Sequence, residues 1–162
     1  MSFLPFGFER SRFGAMGWHR VPARVDTLCG VELLFPAEAY AQMIAHAYEG
    51  YPLEACGLLV GQGNRVHRFV PCTNEAASAR IYTIPPKELL RAERAADDDG
   101  LAVIGVFHSH THSEPYPSPT DVAQAPDPDW HYVIVSLKRE APEARTYRIV
   151  GEQITSLAIA IL

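Results

Sequence analysis

Apolar positions run through this chain in short blocks separated by glycine and proline, and each of the two long helical stretches begins at a proline. Gly30 to Phe35 reads as a strand. Pro36 then opens a helix that carries to about Tyr48 and stops at Gly50. Pro52 to Gly61 holds a short apolar strand bounded by glycines. Gln62-Gly63-Asn64 is a hairpin-type turn into a strand from Arg65 to Val70, and a further short strand is predicted at Ala79 to Ile84. Pro85-Pro86 opens a second helix, rich in Leu, Ala, Glu and Arg, that ends near Asp99 with Gly100 as the stop. Leu101 to Phe107 is apolar without alternation, the pattern of a central strand buried on both faces. Ser118-Pro119 starts a short helix that ends before Pro126. Trp130 to Leu137, Thr146 to Val150 and Ile154 to Leu162 are three closing strands, the last two joined through Gly151-Glu152-Gln153. The class is α/β, with a mixed β-sheet flanked by helices.

Residues 1–24 fall outside this pattern. Phe3, Phe6, Phe8, Phe13 and Trp18 lie among Gly, Pro and Arg with neither a period of 2 nor one of 3.6, so the segment is irregular. It reads either as a flexible leader or as an arm that packs on a partner. Residues 25–162 are long enough for one domain with a full core. The final strand leaves two options open: on a sheet edge it would pair with a second subunit and give a homodimer, and buried it would not.

Composition narrows the class of partner. Hydrophobic residues make up 48% of the chain and charged ones 20%, which favours neither disorder nor a membrane protein. A formal net charge of −5 argues against nucleic acid, whose phosphates call for clustered Lys and Arg. Cys29, Cys56 and Cys72 form no Cys-x-x-Cys pair and are odd in number, which fits a reducing compartment and supplies no thiolate cage for a metal. Pro5, Gly7, Glu9, Arg10 and Arg12 interrupt any signal-like apolar run, and no stretch reaches transmembrane length. The expectation is a soluble, cytoplasmic protein without a membrane partner.

The candidate chemistry follows the central strand. In extended backbone, side chains two apart share a face, so two of His108, His110 and His112 can grip one metal ion. The residues alone do not choose between the two adjacent pairs. Ser118-Pro119-Thr120-Asp121 is a helix-start signature that needs no metal, yet it also holds a carboxylate rigidly on a first turn, where Asp121 can serve as third ligand. Three protein ligands leave one tetrahedral position for water, the arrangement of a catalytic zinc. Glu54, by itself, reads as a solvated loop carboxylate, and Cys56 as a small buried strand residue or, less simply, a redox modulator of the site.

Taken together, these residues resemble a known family. His108-Ser109-His110, seven residues, Ser118, two residues and Asp121, with Glu54 upstream of Cys56-Gly57-Leu58-Leu59, match the JAMM motif of MPN-type zinc metallopeptidases. The resemblance covers about Val31 to Leu162 and is most specific between Val103 and Asp121. It implies the MPN/JAMM fold, related in architecture to cytidine deaminases. It selects His108 and His110 over His112, because the seven-residue gap counts from His110, and makes His108, His110 and Asp121 the ligands of one zinc ion per chain. It also makes Glu54 the general base and acid, and Ser118 the stabiliser of the oxyanion. Thr111, Glu114, Tyr116 and Pro117 fill the loop between ligands and are candidates for shaping substrate access.

The same resemblance names the bond. Family members cleave isopeptide bonds of ubiquitin-like modifiers or, in bacteria, trim the C-terminus of small sulfur-carrier proteins. This chain has no long insertion in its core and looks like the minimal bacterial or archaeal form, and it most resembles the bacterial form that releases cysteine from a diglycine-tailed carrier. The expected activity is hydrolysis after the Gly-Gly tail of a ubiquitin-like or sulfur-carrier protein. Two alternatives are a catalytically silent MPN scaffold, which would generally have lost ligands, and a deaminase-type small-molecule zinc hydrolase. The second calls for His-x-Glu together with Pro-Cys-x-x-Cys; His112-Ser113-Glu114 has the first spacing, but Pro-Cys-x-x-Cys does not occur here.

Overall fold

The computed structural model describes residues 32–162. In chain order the elements are β1 (Leu33–Phe35), α1 (Ala37–Gly50), β2 (Cys56–Gln62), β3 (Arg65–Cys72), α2 (Pro86–Asp98) and β4 (Ala102–His110). They continue as α3 (Pro119–Ala123), β5 (His131–Ser136), β6 (Glu143–Val150), β7 (Gln153–Leu157) and β8 (Ile159–Ile161). The strands form one sheet in the order β7-β6-β5-β4-β2-β3-β1-β8. β4 runs parallel to β5, β1 is parallel to β3 and β8, and the remaining pairs are antiparallel. The expected mixed sheet flanked by helices is therefore the fold. The irregular segment 1–24 and Cys29 lie outside the described residues, as do Gly30 and Val31 of the first predicted strand.

The missing alternation in the central strands has a simple cause. Leu59, Phe107, Val133 and Val135 face a core closed by Ala39, Met43 and Ala47 of α1. Their neighbours Leu58, Val106 and Ile134 face a second core with Ala92 of α2. Both sides of β2, β4 and β5 are thus covered, and period 2 disappears from the sequence. α1 presents small or flexible residues at i, i+4 and i+8, and α2 presents Ala92 and Ala96, so each helix lies close on the sheet. Gly100, at φ +69°, ends α2 in the left-handed region that a side chain disfavours.

Two sequence expectations are corrected. Ala79 to Ile84 is not a strand, because the Asn74 side chain takes the hydrogen bonds a neighbouring strand would offer. Its amide donates to the Ile81 carbonyl (3.1 Å) and its carbonyl accepts from Thr83 N–H (3.0 Å). Ile154 to Leu162 is two strands rather than one. β7 pairs with β6, β8 pairs with β1 at the far end of the sheet order, and only Ala158 separates them. The sheet curls until one continuous segment serves both of its ends, and Leu33 N–H bonds the Ala158 carbonyl at 2.8 Å. Strand ends also move: β3 runs on to Cys72, β6 begins at Glu143, and β4 runs on to His110, so the paired histidines belong to the strand itself. Among the described residues no helix is long and apolar enough to cross a membrane.

Candidate metal centre

Strand pairing fixes the two histidines. His108 stands between Cys56 of β2 and Ile134 of β5, and His110 stands opposite Ser136. Both imidazoles share a face of β4, as their spacing requires. The next loop is fastened back onto β5: Leu137 N–H bonds the His110 carbonyl (2.8 Å), and the Ser136 hydroxyl donates to the Ser113 carbonyl (2.6 Å). Tyr147 donates to the Pro115 carbonyl. That loop delivers the start of α3, where Ser118 and Asp121 close a reciprocal capping box. Asp121 N–H donates to the Ser118 hydroxyl oxygen (3.2 Å), and Ser118 N–H donates to Asp121 Oδ2 (2.6 Å). The Ser118 hydroxyl accepts in this box, so its own proton is left for another acceptor.

The three donors converge. His108 Nε2 and His110 Nε2 are 3.2 Å apart, and they lie 3.4 Å and 3.6 Å from Asp121 Oδ1 and Oδ2. Zinc bonds of roughly 2.0–2.1 Å in a tetrahedron separate neighbouring ligand atoms by about 3.3–3.4 Å. The group could hold a metal ion on geometry, and its donor set of two imidazoles and a carboxylate suits zinc. Glu114 contributes its carbonyl, which accepts from His110 Nδ1 at 2.7 Å and so directs the Nε2 lone pair inward. His108 Nδ1 has no partner among the described residues; its ring stacks on Tyr82, with centroids 4.5 Å apart and planes at 18°.

Electrostatics act differently on the two imidazoles. Burial lowers the His108 pKa against the pull of Asp121, favouring the neutral imidazole that ligates. Burial works the same way on His110, but Asp121, the Glu114 carbonyl and Glu54 outweigh it and raise its pKa. Burial would raise the Asp121 carboxyl, yet the two imidazoles and Ser118 hold it well below the usual carboxylate range.

Glu54 is far from the solvated loop carboxylate its local sequence suggests. It is 5% exposed, and its Oε2 has no partner among the described residues. Its backbone is clamped on two sides: Glu54 N–H bonds the Ser78 carbonyl (2.9 Å), and Asn74 donates to the Glu54 carbonyl (2.9 Å). One residue on, Ala55 N–H donates to the Ser109 hydroxyl (2.8 Å), while Ser109 N–H donates back to the Ala55 carbonyl (2.9 Å). The residue between the two histidines thus ties the Glu54 segment to the metal-bearing strand. Sequence reading passed over Ser109, and its only signal was its place inside His-x-His. Burial pushes the Glu54 carboxyl up to about 7, with His110 opposing and Asp121 adding.

A cavity of about 450 Å³ joins these groups, lined by Glu54, Arg80, His110, His112, Ser113 and Ser118, among others. His112 lies on its wall and outside the three-donor group; its Nδ1 is 2.8 Å from the Thr111 hydroxyl. The loop residues expected to shape access mostly do not line this cavity. Thr111 is buried, Glu114 turns to Lys138 (2.9 Å) and Arg139 (3.0 Å), and Tyr116 and Pro117 line a separate depression with Ile154. Cys56 is the buried strand residue of the simpler reading: burial pushes its thiol up to about 12, with Cys72, Glu88 and Glu54 adding, so little thiolate forms near neutral pH.

Residues 36–150 match the family model described as prokaryotic homologs of the JAB domain. The CysO-cysteine peptidase of Mycobacterium tuberculosis is 38% identical over 133 residues, covering 80% of this chain and 91% of that protein. A probable TtuB-protein conjugate cleaving protease of Thermus thermophilus is 32% identical over 97 residues, 59% of this chain and 65% of the relative. Among solved structures, protein DSY2949 of Desulfitobacterium hafniense superposes with a TM-score of 0.71 at 31% identity, covering 80% of this chain and 92% of that one. The JAB1/MPN domain protein AF2198 of Archaeoglobus fulgidus does so with a TM-score of 0.52 at 18% identity, over 80% and 97%.

Proposed function

Because this chain belongs to the prokaryotic JAB-domain family, we propose that it is a zinc-dependent peptidase. It hydrolyses the amide bond after the C-terminal Gly-Gly of a ubiquitin-like or sulfur-carrier protein, with cysteine as a leaving group. The observation that carries this reading is the convergence of His108, His110 and Asp121 at ligand-to-ligand spacing, beside a cavity that also takes in Glu54 and Ser118. The names of the Mycobacterium and Thermus relatives support the substrate class.

His108, His110 and Asp121 would hold the metal. A bound zinc ion supplies a Lewis acid beside the scissile carbonyl and a water of lowered pKa. Glu54 does the proton transfer: its unpaired Oε2 takes the proton from the attacking water and delivers it to the departing amine nitrogen. A carboxyl pushed up to about 7 suits both halves of that task, because it gives and takes protons near neutrality. As hydroxide adds to the carbonyl carbon, negative charge gathers on the carbonyl oxygen, and the Ser118 hydroxyl donates to it while its own oxygen is held by Asp121 N–H. Collapse of the tetrahedral species breaks the C–N bond and leaves a carboxylate on the terminal glycine. The glycines of the tail suit the site, since they let the backbone approach closely.

Metal removal tests the reading. Dialysis against a chelator should abolish cleavage of a carrier–cysteine adduct, and stoichiometric zinc should restore it. Undiminished turnover by metal-free protein would contradict the proposal.

A further inference from the structure

Arg80 differs from Arg68, Arg139 and Arg145, each of which has a carboxylate partner. Arg68 pairs with Asp99 (2.6 Å), Arg139 with Glu114 and Glu143 (3.0 Å and 2.8 Å), and Arg145 with Glu143 (2.5 Å). Among the described residues the Arg80 guanidinium forms no hydrogen bond or ion pair, and its only recorded bond is from its backbone N–H to the Ser78 hydroxyl (3.1 Å). It lines the cavity that holds Glu54, His110 and Ser118, and no other lysine or arginine among the described residues does. Its backbone position is fixed from both sides. Thr111, directly after the second histidine, donates to the Ala79 carbonyl (3.4 Å), and Asn74, which also holds Glu54, donates to the Ile81 carbonyl.

We infer that Arg80 is a specificity residue that binds the free α-carboxylate of the leaving amino acid, and so selects an α-linked C-terminal residue over an ε-linked lysine. The inference rests on the peptidase reading above. When the bond after the diglycine tail links to a terminal amino acid, that residue's carboxyl carbon lies two bonds from the scissile nitrogen. The carboxylate is then carried into a cavity whose fixed charges, Glu54 and the neighbouring Asp121, have the same sign. A zinc ion held by the three donors would offset part of that repulsion, and a second cation facing the carboxylate offsets more of it without drawing the carboxylate onto the metal. A planar guanidinium with five unused donors meets a carboxylate in two parallel hydrogen bonds and offsets that repulsion. A lysine joined through its ε-amine keeps its own carboxylate several bonds farther away, beyond the fork, and gains nothing from it.

Three enzymes and two substrates test this. The substrates are the carrier ending in Gly-Gly-Cys with a free carboxylate and the same carrier ending in the cysteine carboxamide. The enzymes are the unaltered protein, Arg80→Gln and Arg80→Lys. The unaltered enzyme should prefer the free acid, and Arg80→Gln should lower kcat/KM for the acid by about 10–100-fold, chiefly through KM. The carboxamide should be cleaved by Arg80→Gln as fast as by the unaltered enzyme, and Arg80→Lys should recover part of the loss on the acid. Equal use of acid and amide by the unaltered enzyme, or an equal loss on both with Arg80→Gln, overturns the assignment while the peptidase reading stands. No cleavage of either substrate by the unaltered enzyme overturns that reading, and the assignment falls with it.

Discussion

Glu54→Gln should lower kcat on a carrier–cysteine adduct by about 10²–10⁴-fold while the protein stays folded and keeps its metal. Glutamine preserves the shape of the side chain and removes only the ability to carry a proton. The backbone clamps on Glu54, from Ser78, Asn74 and the Ala55–Ser109 exchange, do not involve the carboxyl group and survive the change. Retained turnover would place the proton transfer elsewhere. The burial that pushes this carboxyl up to about 7 also sets the pH dependence. The base form is needed for attack, so kcat/KM of the zinc-loaded protein should rise with pH as Glu54 loses its proton, at or below about 7 because a bound cation would draw the carboxyl downward. Stability moves the other way. The folded pKa lies above the ordinary 4.5, so the folded metal-free protein binds the proton more tightly than the unfolded chain. The contribution is intact below about 4.5 and is lost as pH rises through about 7. Glu54→Gln cannot titrate, so its Tm should equal that of the parent at pH 4 and exceed it at pH 8, measured on metal-free samples. A gain in stability with a loss of turnover is the signature of a group kept for chemistry.

His110→Ala should lose zinc as well as activity, with affinity falling by more than the 10–100-fold typical of a lost outer partner. It removes one of three donors and leaves His108 and Asp121 with an open edge. His112→Ala should keep stoichiometric zinc. His112 is exposed, bonds the Thr111 hydroxyl and faces Tyr51 at 6.3 Å, so it contributes to the cavity wall rather than to the donor set. Metal analysis of the two purified variants side by side checks the pair, and equal zinc content in both would refute the ligand assignment.

What the sequence could tell follows the range of the interactions involved. β4 and the start of α3 are local patterns: an apolar run without alternation, and Ser-Pro-x-Asp at a helix cap. They were legible, and the spacing between them gave the three-donor group once a family resemblance settled the choice between His110 and His112. Glu54 was not legible from its neighbours, because the bonds that fix its backbone come from Asn74 and Ser78, each at least twenty residues away. Ala79 to Ile84 has strand-like composition but no free strand edge to pair with, since Asn74 occupies its hydrogen bonds. The break at Ala158 depends on the curl of the whole sheet, which no window of the final segment reveals.

The central claim is metal-assisted hydrolysis at a diglycine tail, and the mass of the carrier tests it most directly. A carrier ending in Gly-Gly-Cys, incubated with the zinc-loaded protein, should lose one cysteinyl residue and end in Gly-Gly, with free cysteine released in equal amount. A carrier mass that does not change with the zinc-loaded protein, or that falls equally with Glu54→Gln, would contradict the account.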